Sequence, residues 1–313
     1  MKRVCNALAL LLLCLVLFSC TKDPLVSNPD TATVFTDSTG HTVALDGTPS
    51  RVAVLLSSLA DIWLLAGGEV AITVGESVER GICADGVTLV DTGAGKVIDT
   101  EALIAAAPEL VIVSADIPAQ TETAVLLREV GIPVAEFRVE SFADYLTVLK
   151  CCTAITGKSD LYATHGEAQK ARIDAAIAEK PFAGEEILFI RAGTSARSVK
   201  PKGSADHFAA AMLKDLGAIN IADDAPLLAD GLSMEYILEK DPDRIFFVAM
   251  GDEQASRAYV TQMLEGAEWQ ALSATKAGNV HFLPKESYHY KPSRAWADLY
   301  EALAQTAATS KGE

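Results

Sequence analysis

What this sequence lacks narrows its class first. It has no Cys-x-x-Cys pair or other metal-spaced cysteine cluster. Its five histidines (41, 165, 207, 281, 289) stand apart, without His-Glu-x-x-His spacing. Neither a zinc ribbon nor a zinc hydrolase, nor a receptor for a bare transition metal, is written in such a pattern. No Gly-x-Gly-x-x-Gly follows the first strand and no Gly-x-Ser-x-Gly elbow occurs, which argues against a dinucleotide site and a hydrolase nucleophile. Gly93-Ala-Gly95-Lys96 has the look of a phosphate loop, but the leading glycine spacing is missing and Val97 stands where Ser or Thr would be needed. Positive charge is scarce too: 26 Lys and Arg face 42 Asp and Glu, a net charge of −16. Such a surface lacks the basic patches that nucleic acids require. The chain reads as a binding protein and not as an enzyme.

Long apolar runs are confined to the N-terminus. Lys2 and Arg3 precede ALALLLLCLVLF, too short to be a membrane span, and the run ends in Leu17-Phe18-Ser19-Cys20. This resembles a bacterial lipobox. Residues 1–19 are thus expected to be a signal peptide, Cys20 the lipidated first residue at the cell membrane, and residues 20–32 a tether. Cleavage before Cys20 takes the basic residues from 26 to 24 and the net charge to −18. Cys83, Cys151 and Cys152 then remain; the last two are neighbours in a helical pattern, and all three are expected to be structural thiols.

The most informative motif occurs twice, 134 residues apart. Residues 101–113 read EALIAAAPELVIV and residues 235–247 read EYILEKDPDRIFF. In each, a glutamate opens an amphipathic helix, a proline follows seven residues later, and an acid (Glu109, Asp243) leads into an apolar strand. Pro108 and Pro242 should end the helices, because proline disfavours helical backbone in the residue before it. The strands are apolar enough to be covered on both faces of a parallel sheet.

Around these units the pattern alternates between strand and helix. Residues 33–47 suggest a hairpin about Gly40; Arg51–Leu56 a buried strand; Ser57-Ser58 a cap for a helix closed by Gly67-Gly68. Strands at 70–75, 110–114 and 132–137, with a helix from Pro118, complete a first α/β lobe over 33–140. Residues 141–180 carry helical periodicity only, broken near 157–159, and read as a helical connector. A second lobe follows over 181–313, closed by a helix from Pro292. The expected fold is α/β: two doubly wound lobes, a helical bridge, and a ligand cleft between them.

In this order and spacing, the strand with Ser57-Ser58, Ile72-Thr-Val-Gly75, the paired glutamate helices, the connector, LKDLGAINI (213–221) and SYHYKPSRAW (287–296) resemble the solute-binding proteins of ABC importers for iron–siderophores, haem or cobalamin. The resemblance spans nearly all of residues 33–308. It implies a monomeric extracytoplasmic receptor that carries a metal chelate, most simply a ferric siderophore, to a membrane permease. It also implies that Glu101 and Glu235 meet permease arginines. An acid in the first helical turn is favoured by the helix dipole in any protein, so that pair also has a purely local reading.

Ligands of open α/β sheets sit beyond the carboxyl ends of the strands. The loops there are 57–59, 75–80, 114–117, 191–202 and 251–253, which makes Ser57, Ser58 and Glu76 candidates. Arg191, Arg197, Lys200 and Lys202 fall within twelve residues of an acidic protein and could form an anion-facing rim. Tyr288, His289 and Tyr290, before Lys291, could stack on a flat ligand or, alternatively, pack against the last helix. No resident cofactor or metal is expected.

Overall fold

The computed structural model describes residues 33–91, 97–224 and 233–308. Cys20, the tether and Gly93–Lys96 lie outside them. A hairpin of β1 (Thr33–Thr36) and β2 (Thr42–Leu45) leads into the first sheet. That sheet comprises β3 (Val52–Val54), β4 (Val70–Thr73), β5 (Thr88–Leu89), β6 (Leu110–Ser114) and β7 (Val134–Phe137), all parallel, in the order β5-β4-β3-β6-β7. Its helices are α1 (Ser57–Leu65), α2 (Gly75–Glu79), α3 (Thr100–Ala105) and α4 (Pro118–Glu129).

The bridge begins with α5 (Phe142–Thr156), started by a capping box of Ser141 and Asp144 and ended by Gly157 in the left-handed region (φ 71°). Next come α6 (Asp160–Tyr162), a π turn (Ala163–Glu167) and α7 (Ala168–Glu179). A π turn releases a backbone carbonyl from the helical ladder. Here the Tyr145 hydroxyl (2.9 Å) and the Gln169 amide (2.7 Å) both donate to the His165 oxygen.

The second sheet has β8 (Glu186–Ala192), β10 (Ile219–Asn220), β11 (Arg244–Ala249) and β12 (Val280–Leu283) in the parallel order β10-β8-β11-β12. β9 (Val199–Pro201) runs antiparallel to β8. Around it lie α8 (Phe208–Asp215), α9 (Met234–Lys240), α10 (Glu253–Leu264), α11 (Ala267–Ala271), α12 (Ser273–Lys276) and α13 (Lys285–Tyr288). A 3₁₀ turn (Ser293–Ala295) then starts α14 (Trp296–Ala308), which returns to pack on α7.

The sequence repeat has a structural counterpart. Asp99 caps α3 by accepting from the Ala102 amide, and Ser233 caps α9 by accepting from the Tyr236 amide. The two acids that follow stitch each sheet alike. Glu109 accepts the Ser50 and Arg51 amides while its own amide donates to the Arg51 carbonyl. Asp243 accepts the Glu186 amide while its own donates to the Glu186 carbonyl. The prolines do end the helices, but through left-handed residues: Ala107 (φ 49°) and Asp241 (φ 43°) precede them.

Alternate residues of each central strand face opposite ways. Ala53, Leu55, Val111 and Val113 enter a cluster on one face of the first sheet; Leu188, Ile190, Ile245 and Phe247 enter one on the second. Val54, Phe137, Phe189 and Phe246 face a third cluster shared by both lobes with Trp63, Tyr145, Phe182, Phe208 and Trp296. Arg244, fully buried at the start of β11, is part of this inner structure. Its Nη1 and Nη2 donate to the Thr306 and Ala307 carbonyls at the C-terminus of α14, and its Nε to Glu185. A cation there complements the helix dipole.

Two expectations need correction. Ser57 and Ser58 lie inside α1, and the cap position is Leu56, with no side-chain capping bond; the Ser57 hydroxyl is engaged elsewhere. The basic stretch is not a free loop either. Arg191 falls in β8, as a strand expected over Glu186–Arg191 implies, but Val199–Pro201 of the supposed loop is a strand that pairs with β8 beyond the short stretch taken by β10. Cys83, Cys151 and Cys152 are buried free thiols, as expected.

Candidate functional site

In the first sheet the chain order reverses between β3 and β6, and in the second between β8 and β11. A crevice opens beyond the carboxyl ends of strands at such a switch point. On the first lobe it is lined by Leu56–Leu59 after β3 and by Ser114, Asp116 and Ile117 after β6. Glu76 and Arg80 from α2 and Glu140 after β7 extend the wall. His289, Tyr290 and Lys291, which follow the second lobe's last strand, form the opposite side. The cleft encloses about 230 Å³.

Its polar groups are interlocked. The Ser57 hydroxyl donates to Glu76 Oε2 (2.6 Å) and accepts from Arg80 Nη1 (2.8 Å), so it links the acid to the base. The Arg80 guanidinium lies 4.0 Å from the centre of the Tyr290 ring, a cation–π contact across the cleft. Arg80 also meets Glu286 at 3.4 Å, and Lys291 donates to Glu140 at 2.5 Å. Asp116 accepts from Arg138 at 2.6 Å. The cleft thus mixes both charges with one aromatic face, a lining suited to holding a polar, multiply charged small molecule.

His289 packs edge-on to Tyr290 (4.9 Å between rings), and its Nδ1 is buried without a partner among the described residues. Burial, and next the Arg191 charge, push its pKa down to about 4. Burial first and Glu76 second raise that of Tyr290.

Of the residues marked by sequence, Ser57, Ser58, Glu76, His289 and Tyr290 line this cleft together. Tyr288 does not. It is buried at 3 % exposure and its hydroxyl donates to the Leu299 carbonyl, so it packs against the last helix. Arg191 is not among the residues that line the cleft; it is partly buried, with its Nε unpartnered among the described residues. Lys200 pairs with it across β9, Lys202 follows, and Arg197 is exposed on the turn away from the lining. Glu101 and Glu235 are exposed in the first turns of α3 and α9.

Sequence reasoning missed Glu140 and His207. Arg80 and Asp116 lay in loops already marked, and Lys291 beside the Tyr288–Tyr290 motif, but none was singled out. His207 is the cap of α8: its Nδ1 accepts the Ala209 amide (3.2 Å), and its ring lies between Phe189 (4.8 Å) and Phe208 (4.9 Å). An imidazole before an apolar helical run was the one local hint.

A separate group, Asp37, His41 and Glu136, brings three ligand-type atoms within 4.8 Å of one another. Its carboxylates are already used. Asp37 accepts the Thr39, His41 and Glu136 amides, and Arg128 binds Glu136 at 2.7 Å. It joins the hairpin to β7.

The architecture has many solved counterparts. A siderophore-binding protein, BauB, solved with two molecules of acinetobactin and ferric iron, is 16 % identical, with a TM-score of 0.70 over 89 % of this chain and 98 % of its own. The petrobactin-binding protein YclQ of Bacillus subtilis is 18 % identical (TM-score 0.66, 90 % and 99 %). The vitamin B12-binding protein BtuF of Vibrio cholerae is 14 % identical (TM-score 0.66, 85 % and 99 %). At these identities the likeness establishes the fold. No curated protein matched the sequence. The family model described as periplasmic binding protein matches residues 52–287. With two α/β lobes, a helical bridge and a cleft at the paired switch points, the chain belongs to the periplasmic binding protein family.

Proposed function

We propose that this protein is an extracytoplasmic receptor that captures a ferric siderophore and delivers it to an ABC permease. The observation that carries this reading is the cleft between the lobes, where Arg80, Lys291, Tyr290 and His289 meet over a largely apolar floor that includes Leu59, Ile117 and Phe137. A ferric siderophore presents anionic oxygen donors and often aromatic rings, which suit guanidinium, ammonium and a tyrosine face. The siderophore-binding proteins among its structural counterparts support the same ligand class. The cleft volume, about 230 Å³, lies below the usual range of roughly 300–1,000 Å³ for ligand pockets. A neighbouring recess of about 420 Å³ shares Ser58, Arg80 and Lys291 with it.

The receptor performs no chemistry on its cargo. It is held at the membrane through a lipid on Cys20, works as a monomer, and presents Glu101 and Glu235, one per lobe, to arginines of the permease. Haem and corrinoids are the alternative cargoes of the same family. Absorption spectra of protein purified from its native host distinguish these: a broad ferric charge-transfer band is expected, in place of a Soret or corrinoid spectrum. Absence of binding to any of a panel of catecholate, hydroxamate and carboxylate ferric siderophores would overturn the reading. Retention of a Cys20→Ser variant at the membrane would remove the anchor from it.

A further inference from the structure

The two copies of the repeated unit differ in what surrounds their glutamates. In EALI (101–104) and EYIL (235–238), the residue three positions after the glutamate lies beside it on the helix surface. In the second lobe that residue is Leu238, half-buried against the apolar cluster of the second sheet, where Trp269 of α11 also packs. Tyr236 is engaged inward as well, its hydroxyl donating to the Ile221 carbonyl at 3.2 Å. The other exposed residues of α9 are Glu239 and Lys240. In the first lobe the matching position is Ile104, and it is 38 % exposed.

More aliphatic surface gathers there. The Asp91–Ile98 bridge and the bond from the Asp99 amide to the Val90 carbonyl (2.8 Å) lay the end of β5 antiparallel to the segment entering α3. In that register Leu89 falls opposite Thr100, next to Glu101, and Val97 stands two residues before the Asp99 cap. Leu89 is 49 % exposed and Val97 61 %. Among the described residues the second lobe exposes one large aliphatic side chain, Ile219, and it belongs to β10 and not to α9.

Single apolar residues on a surface need no partner, but three about one fixed charge have the make-up of an interface. A second copy of this chain is a poor occupant. Its approach would bring Glu101 against Glu101 in a protein of net charge −16. The occupant must offer positive charge and aliphatic side chains together.

We infer that Leu89, Val97 and Ile104 form an apolar collar about Glu101 that receives aliphatic side chains of the permease beside its arginine. The first lobe then docks by contact and charge, the second by charge alone. This deepens the receptor reading above and rests on it. The two lobes respond differently to salt: ions screen the pair at Glu235, whereas burial of the collar is left standing.

The test measures association of the mature protein with its permease in lipid nanodiscs, at about 0.15 M and about 1 M salt. The double variant Leu89→Asn, Ile104→Asn is expected to bind about tenfold more weakly at the lower salt and to lose the affinity that the unaltered protein keeps at the higher. Val97→Asn, outside every core cluster, should shift affinity in the same direction even if the double variant melts early. Ile219→Asn, the same chemistry on the other lobe, should change nothing. Equal affinities for the unaltered and collar variants, or an equal loss in Ile219→Asn, would overturn the inference. Ferric siderophore binding by each purified variant separates the two readings. A receptor that binds siderophore and permease with no loss on changing the collar removes the collar alone; one that binds neither removes both.

Discussion

The Asp61 carboxylate, nearly buried on α1, is held by the Arg294 guanidinium from 233 residues further along the chain. Nε donates to Oδ1 at 2.9 Å and to Oδ2 at 3.2 Å, and Nη2 adds a third contact. Beside it, the Ser293 hydroxyl donates to the Ser58 carbonyl (3.0 Å). The last segment is thereby fastened to the first lobe before α14 turns back to the bridge.

The two partners differ in exposure: the Asp61 side chain is 9 % exposed and that of Arg294 60 %. Removing the arginine strands a buried charge, whereas removing the acid frees a group that can reach water. Arg294→Ala is expected to cost about 3 kcal/mol and Asp61→Asn about 1 kcal/mol. Denaturant titration of the two variants checks the order; equal losses would mean that the pair acts only through packing.

Stability should fall in mild acid through the histidines. His207 is held near a pKa of about 3 and His289 near about 4, by burial first and Arg191 second. In the unfolded chain each titrates near 6.5. The unfolded state therefore binds more protons as pH drops below that value, and stability present at neutral pH is lost on the way to pH 4. For His207 the loss between pH 6.5 and 5 is about 2 kcal/mol; half-buried His289 adds less. His207→Asn, which keeps a capping oxygen, should flatten the dependence of the melting temperature on pH over this interval.

Glu101 and Glu235 contribute nothing to the core. The double change to Ala is expected to leave stability within about 0.5 kcal/mol, because both side chains are exposed and Asp99 and Ser233 do the capping. Ligand binding by the purified protein should also be unchanged. Uptake by cells that depend on this receptor should fall sharply, and undiminished uptake would remove the docking role.

The repeating unit made much of the fold legible. A proline seven residues after a glutamate, followed by an acid and an apolar run, marked both α9–β11 and its counterpart, and helical periodicity marked the bridge. Ser57, Glu76 and His289, marked in the sequence, do meet at the cleft, although Ser57 and Glu76 belong to α1 and α2 and not to loops. What escaped depended on distant partners. Tyr288 and Tyr290 are two residues apart with similar local patterns, but one meets the Leu299 carbonyl inside and the other Arg80 across the cleft. Arg191 could be read as basic and as the end of a strand, but not as a side chain with its Nε shut away from solvent. Short elements such as α2 and α13 carry too few residues for periodicity to register.

The shared inner cluster changes what the word lobe means here. Phe137 from the first sheet, Phe189 and Phe246 from the second, and Trp296 from the last helix belong to one apolar body. Neither half can bury its inner face without the other, so the chain gains its cooperativity only when the final residues have been made. A receptor built this way melts as one unit. Relative motion of the two halves must deform this common interior.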